Sequence, residues 1–167
     1  MGKRMALVTL LSAGLGLQQA PPLRASETRL SADGFVTLME RLADAWSRQD
    51  TERGIECFTE DAVYMQPPDE QLFRGRAELR KYFGALKAGT TMKFQHLAFD
   101  ERAQRGFGEF TFGSVGAAKA DHGVTVIEVR EGRIASWREY FIEGPAAFPD
   151  FIAQDGKRWK WTIENYP

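Results

Sequence analysis

Hydrophobic and polar residues alternate through the stretch VTVIEVREGRIASWREYFIE, residues 124–143. This alternation predicts two extended strands, Val124 to Arg130 and Ile134 to Glu143, because successive side chains of a strand point to opposite faces of its sheet. Glu131-Gly132 between them is a short connection of the kind that joins antiparallel neighbours. The stretch therefore predicts an antiparallel pair of strands.

Two further strands are predicted before this pair, from Met92 to Phe99 and from Arg105 to Ser114. Both are rich in aromatic and β-branched residues, which favour strands. Asp100-Glu101 separates the two, and a Gly/Ala-rich connection follows the second. Four successive strands indicate an antiparallel meander.

The first half of the chain has a helical period instead. Apolar residues from Phe35 to Trp46 recur at helical spacing after Ser31 or Asp33 as a cap, and a short helix is predicted from Asp50 or Thr51 through Phe58. A third helix is predicted from Gly75 to Leu86. An extended run, Ala62 to Met65, lies between helices and is stopped by two prolines. Helices first and strands later predict an α+β domain, with a curved antiparallel or mixed sheet wrapped around about three helices.

Composition limits the functions to consider. The chain has 167 residues, of which 43% are hydrophobic and 27% charged, enough for one domain with a real core. A net charge of −1 provides no basic surface for a nucleic acid. Cys57 is the single cysteine and there are two histidines, so no disulfide and no metal cluster are predicted. No Gly-rich phosphate loop is present, and no cofactor is predicted.

The first 25 residues are predicted to be a secretory signal. Lys3 and Arg4 precede an apolar stretch from Met5 to Leu17. A membrane anchor is the alternative, but the stretch is shorter than the roughly 20 residues of a spanning helix, so cleavage is favoured, after Ala25 rather than Ala20. Removal of residues 1–25 leaves 19 basic and 23 acidic residues, a net charge of −4. We therefore expect a periplasmic or secreted protein with no membrane span after cleavage. Residues 26–144 form the predicted domain, and 145–167 an aromatic extension that packs on the domain or on a partner chain.

Several motifs resemble the SnoaL-like branch of the nuclear transport factor 2-like superfamily. They are FTEDAVY at 58–64, GRAEL at 75–79, VIEVREGRI at 126–134 and WREYF at 137–141. The resemblance covers roughly residues 32 to 143 and implies a cone-shaped α+β fold. It leaves function open, because this fold serves isomerases, dehydratases, cyclases, epoxide hydrolases and binding domains. Because dimers are usual for this fold, the resemblance also implies a homodimer.

The nearest enzyme pattern is that of the limonene-epoxide hydrolases, which hold a water with a Tyr and an Asn and activate it with an Asp-Arg-Asp set. Tyr64 matches the Tyr, and Gln66 stands at the Asn. Phe110 and Phe112 align with the Arg and the first Asp, and Ile142 aligns with the last Asp. If this alignment is shifted by one residue on the strand Arg105 to Ser114, Glu109 or Thr111 lies in the cavity instead of Phe110 and Phe112.

This pattern predicts a small-molecule site lined by seven residues: Tyr64, Gln66, Phe110, Phe112, Arg138, Tyr140 and Ile142. If Ile142 faces the cavity, Arg138 and Tyr140 share its face and Trp137, Glu139 and Phe141 take the other. His96 is the candidate general base, with Tyr64 as a second catalytic candidate, because imidazole titrates near neutral pH. A packing role for His96 is the alternative. His122 is expected in a solvated loop.

Three functions remain open on the sequence. The first is an exported domain that binds a small apolar molecule in an aromatic pocket, since three charged groups of the hydrolase set are replaced by apolar ones. The second is a small lyase, isomerase or cyclase acting on a polyketide-, steroid- or terpenoid-like substrate, with His96 as base. A structural role for the aromatic extension in an assembly is a third reading.

Overall fold

A computed structural model describes residues 28–68 and 70–153. The predicted signal segment 1–25 lies outside these residues, as does most of the aromatic extension, including Trp159, Trp161 and Tyr166. The described elements are α1 (Ala32–Ser47), α2 (Thr51–Glu56), β1 (Phe58–Gln66), β2 (Gln71–Arg74), α3 (Gly75–Gly84), β3 (Thr90–Asp100), β4 (Arg105–Ser114), β5 (Lys119–Arg130), β6 (Arg133–Pro145) and α4 (Phe148–Phe151).

The strands form one mixed sheet in the order β2-β1-β6-β5-β4-β3. β1 pairs parallel with β6, and the other neighbours are antiparallel. The predicted meander is β3 to β6. Glu131 and Gly132 both have positive φ, the two-residue turn that matches the twist of a hairpin. The predicted α+β fold with a mixed sheet and N-terminal helices is confirmed.

Helix α1 begins where the sequence predicts it. The Ser31 side chain accepts a hydrogen bond from the Gly34 N–H at 3.1 Å, which satisfies an otherwise unpaired donor of the first turn. The apolar face of α1 is buried along its whole length and packs against β3. The Phe35 ring lies directly on Gly106 of β4, where a Cβ would overlap it. The core therefore sits between the helices and one face of the sheet, here called the inner face.

Several boundaries differ from the prediction. α2 ends at Glu56, and Phe58 starts a longer β1, because Phe58 pairs with Ile134 of β6. β5 begins at Lys119 rather than Val124, since its first residues pair with both β4 and β6 despite their polar sequence. β2 and α4 were not predicted; each has four residues, too few to show a period. None of the described helices is long and apolar enough to cross a bilayer.

Candidate functional site

A cavity of about 70 Å³ lies between the inner face of the sheet and the helices. One water needs roughly 10–15 Å³, so the space accommodates several waters or a small organic molecule. Aromatic rings form most of the wall, among them Trp46 of α1, Tyr82 of α3 and Phe110 of β4. The carboxyl groups of Glu139 and Asp121 interrupt this apolar wall. The cavity therefore combines an apolar body with a few polar groups, as small-molecule sites do.

Glu139 of β6 is the most buried charged group of the cavity, with 6% of the residue exposed. Its Oε2 accepts hydrogen bonds from the Tyr64 hydroxyl at 2.7 Å and from the Trp137 indole N–H at 2.8 Å. Its Oε1 accepts one from the Gln71 amide at 2.9 Å. A carboxylate offers about four acceptor sites, so roughly one remains open on Oε1.

The pKa of Glu139 is raised above its usual range. Burial among aromatic rings is the largest cause, because it disfavours the charged form. The hydrogen bonds from Trp137 and Tyr64 lower the pKa and partly offset burial, while the charge of Asp121 raises it. A cavity carboxyl with a raised pKa can accept and return a proton nearer neutral pH than a solvated one.

Tyr64 supports this carboxyl from the neighbouring strand β1. Its ring stacks on Trp137 at a centroid distance of 5.5 Å, and its Cα is the parallel partner of Trp137. Burial, followed by the charge of Glu139, raises the pKa of Tyr64 well above 10. The same two causes raise the pKa of Tyr82 to about 12. Both phenols therefore keep their protons, and Tyr64 acts as a fixed donor to Glu139.

Asp121 of β5 provides the second carboxyl of the cavity. Burial is the largest cause that raises the pKa of Asp121. The negative charge of Glu143, its cross-strand partner on β6, raises this pKa further. His122 lowers it. Asp121 is only partly buried, so it links the polar end of the cavity to the surface. Within residues 28–68 and 70–153, no three His, Cys, Asp or Glu side chains lie close enough to hold a metal ion.

Four of the predicted site residues come together in this cavity: Tyr64, Gln66, Phe110 and Phe112. The alternative register on β4 is wrong, because Phe110 is buried among the core residues while Glu109 and Thr111 bond to His96 and His122. Phe110 and Phe112 thus contribute apolar wall where the hydrolase pattern has charged groups.

The prediction that Arg138, Tyr140 and Ile142 line the cavity is wrong. These residues lie on the opposite face of the sheet, here called the outer face, with Tyr140 51% and Ile142 65% exposed. β6 presents the alternate set to the core: Trp137 and Glu139 are buried, and Phe141 lines the cavity. Side chains of a strand alternate between two faces. Assigning Ile142 to the inner face therefore assigned every residue of β6 to the wrong face. The sequence signal that was missed is Glu139, which lies between the aromatic residues Trp137 and Phe141 on the inner face of β6.

The prediction that His96 faces the cavity is also wrong. Its side chain is 78% exposed, and Nδ1 bonds to Glu109 Oε2 at 2.6 Å on the outer face. Phe94 pairs with Phe110 but His96 pairs with Glu109, so an irregularity at Gln95 breaks the alternation. Phe94, Leu97 and Phe99 pack on the core instead. His122, expected in a loop, is a buried residue of β5.

The mixed sheet, the helices packed on its inner face and the cavity between them form the nuclear transport factor 2-like fold. The sequence profile of the SnoaL-like domain matches residues 39–137, more than half of the chain, and the chain belongs to this family. The fold supports a ligand-binding or small isomerase or hydratase type of function.

Solved structures share this fold. A protein of unknown function from Methylobium petroleophilum PM1, described as having a cystatin-like fold, is 21% identical with a TM-score of 0.63, covering 84% of this chain and 99% of that one. An LEH-like epoxide hydrolase from M. tuberculosis is 18% identical with a TM-score of 0.56, covering 66% and 84%. A provisionally assigned ketosteroid isomerase from Kribbella flavida is 15% identical with a TM-score of 0.59, covering 74% and 90%. Curated proteins give no significant match.

Proposed function

We propose that this protein binds a small, largely apolar molecule in its aromatic cavity and transfers a proton on that molecule through Glu139. The observation that carries the proposal is the Glu139 carboxyl, buried in the cavity with a raised pKa and one acceptor site left open by Tyr64, Trp137 and Gln71. His96 has no part in this mechanism, because its side chain is exposed on the outer face.

The reaction class is that of an isomerase or dehydratase. The Glu139 carboxylate removes a proton from carbon beside a carbonyl or hydroxyl-bearing group, and the same carboxylic acid returns it to a neighbouring position or to a departing hydroxyl. The first outcome is a double-bond shift and the second is loss of water. Asp121 provides a second carboxyl in the same cavity.

Epoxide hydrolysis by the Asp-Arg-Asp route is not supported. Phe110 and Phe112 line the cavity where the resemblance places an Arg and an Asp, and neither side chain can exchange a proton. Glu139 provides one carboxyl on the inner face of β6. Its carboxyl can take and return one proton, as an isomerase or dehydratase requires.

Binding without turnover is the second candidate function. The apolar wall at Phe110 and Phe112 favours it, since one polar anchor in an aromatic cavity suffices for binding. Under this candidate Glu139 orients the polar group of a ligand that is released unchanged.

One experiment separates the two functions. 3-Cyclohexenone, a small ketone with a movable double bond, is incubated in D₂O with the wild-type protein and with Glu139→Gln. Proton transfer predicts conversion to 2-cyclohexenone with deuterium incorporated, and a loss of about 10²- to 10⁴-fold in Glu139→Gln. Saturable binding with no deuterium uptake would establish the binding function instead. Tyr140→Phe, which removes an exposed hydroxyl on the outer face, is the control and should retain the wild-type rate.

The natural ligand is sought in parallel. Organic extracts of the natively purified protein and of a mock purification are compared by mass spectrometry. A compound enriched with the wild type and depleted with Glu139→Gln would give the substrate class. Equal extracts from all samples would count against a tightly held ligand.

We also propose that the protein is exported and that residues 1–25 are removed. The basic residues Lys3 and Arg4 ahead of a short apolar stretch support this. The intact mass of protein recovered from the periplasm or medium tests it. A mass that retains Met1 to Ala25 would contradict cleavage.

A further inference from the structure

A second concave surface lies on the outer face of the sheet and, among the described residues, meets the cavity only at Phe141. Its volume is about 400 Å³, and we call it the outer groove. It is lined by Glu109, His122, Val124, Tyr140, Ile142 and Phe151, with Gly123 and Phe141 between them. Ile142, Tyr140 and Val124 are large apolar side chains left substantially exposed there. The proposed reaction uses none of the six named residues.

The chain after β6 already folds back onto this face. The Phe151 ring of α4 stacks on His122 with centroids 4.1 Å apart, and it lies over Gly144, where a Cβ would overlap it. His122 Nε2 donates to the Pro145 carbonyl at 2.7 Å, and Nδ1 accepts from the Thr111 hydroxyl at 3.0 Å. The described chain ends at Ala153, two residues after a wall of the outer groove.

The sequence that follows has the composition to fill the groove. Trp159, Trp161 and Ile163 alternate with polar residues, so an extended segment would present all three on one side. In the same extended arrangement Lys157 shares the side of the two tryptophans and brings positive charge toward Glu109 in the groove, whereas Arg158 and Lys160 take the opposite side. Six extended residues after Ala153 reach up to about 20 Å, whereas β4 to β6 span only about 10 Å.

We propose that residues 157–163 of this chain dock in its own outer groove, with Trp159, Trp161 and Ile163 against Ile142, Tyr140 and Val124. Docking covers apolar surface that water otherwise meets, and it places Lys157 on the side of the segment that faces Glu109. It continues the contact that α4 makes through Phe151 and His122. Phe141 lines both the outer groove and the cavity, so the docked segment would adjoin one wall of the ligand site.

Limited trypsin digestion of the full mature chain tests this docking, because Lys157, Arg158 and Lys160 are the cleavage points. The variants are Ile142→Asp in the groove and Leu72→Asp on β2 outside it; Ile142 is 65% exposed and Leu72 is 49% exposed. Docking predicts that Ile142→Asp raises the cleavage rate after these three residues about tenfold, as expected when a protected segment is released. Leu72→Asp should cleave at the wild-type rate. Thermal melts check that both variants remain folded.

Tryptophan fluorescence provides an independent measurement. Trp46 and Trp137 are buried in the core, so any increase in acrylamide quenching in Ile142→Asp reports on Trp159 and Trp161. Replacing the latter two by Phe should abolish the increase. Equal cleavage and equal quenching in all variants would overturn the proposal. Protection that weakens on dilution would also overturn it, since the segment would then dock on a second copy.

Discussion

At the scale of single residues, the cavity depends on the bond from the Tyr64 hydroxyl to Glu139 Oε2. Tyr64→Phe keeps the ring that stacks on Trp137 and removes only this donor. Because the bond lowers the pKa of Glu139, its loss should raise that pKa further and shift the acidic limb of the pH-rate profile, where Glu139 loses its proton, to higher pH. The free energy of unfolding at pH 7 should fall by about 1 to 3 kcal/mol, the value of a hydrogen bond to a buried charged group.

Tyr140→Phe is the matched control for this change, because its hydroxyl lies on the exposed outer face. A pH-rate series on 3-cyclohexenone and a urea titration supply the two measurements. An unchanged pH profile in Tyr64→Phe would mean that Tyr64 does not tune the Glu139 carboxyl.

Glu139 should also make stability depend on pH. Its pKa in the folded protein lies above the unfolded value of 4.5, so the folded state holds this proton to higher pH. The stability contributed by the group is complete below pH 4.5 and is lost as pH rises through the folded pKa. We therefore expect the free energy of unfolding of the wild type, minus that of Glu139→Gln, to fall as pH increases from about 4.

Urea titrations of both proteins between pH 4 and pH 8 measure this difference. Asp121 has a pKa shift in the same direction but is present in both proteins, so subtraction removes most of its effect. A difference that stays constant across this range would show that Glu139 has an ordinary pKa.

The residues of the cavity were predictable only in part. Tyr64, Gln66, Phe110 and Phe112 follow from the resemblance to the limonene-epoxide hydrolases, which aligns them with site residues of that pattern. Glu139 was missed because the alternation on β6 was assigned to the wrong face. His96 was misplaced because the irregularity at Gln95 reverses the alternation within β3, and no residue type in that segment marks it. The alternation of side chains can be read from β3 alone, whereas the irregularity at Gln95 arises from the pairing of β3 with β4.

At the scale of elements, α1 and β4 meet where Phe35 covers Gly106. Gly106→Ala would place a Cβ inside that ring, so α1 must shift or the ring must leave its rotamer. We expect a loss of about 1 to 3 kcal/mol in the free energy of unfolding, the usual cost of overpacking. Gly84→Ala at the end of α3 has only the Thr51 hydroxyl nearby, at 4.0 Å, and is the control.

Thermal or urea unfolding of the two alanine variants measures this difference. Gly84→Ala should be neutral or slightly stabilising, since alanine favours helices by up to about 1 kcal/mol over glycine. Equal stability of the two variants would show that the approach of Phe35 to Gly106 carries no constraint.

Element types were predictable where an element is long and strongly periodic. The apolar positions of α1 and the alternation of β4 and β6 fix those elements from sequence alone. β2 was not predictable because four residues are too few to show a period, and the start of β5 was not because its residues are polar or small; both become strands through hydrogen bonds to neighbours. Pairing across the sheet overrides local propensity in such segments.

At the scale of the whole molecule, the cavity and the core are continuous. Trp46, which lines the cavity from α1, packs edge-on against Trp137 of the sheet at 5.5 Å, and Trp137 in turn stacks on Tyr64. A ligand that enters the cavity therefore contacts side chains that also hold α1 to the sheet. Binding should stabilise the fold as a whole rather than one loop.

A ligand that binds only the folded protein should accordingly raise its melting temperature. At a concentration 100 times its dissociation constant, the free energy of unfolding should increase by about 2.7 kcal/mol. For a domain of this size, that corresponds to roughly 5 to 15 °C. Thermal melts with 3-cyclohexenone, or with the compound recovered from the native extract, measure the shift. Ile142→Asp should retain the shift because Ile142 lies on the outer face, whereas Glu139→Gln should lose most of it. If Ile142→Asp lost the shift while Glu139→Gln kept it, the ligand would bind at the outer groove and not in the cavity.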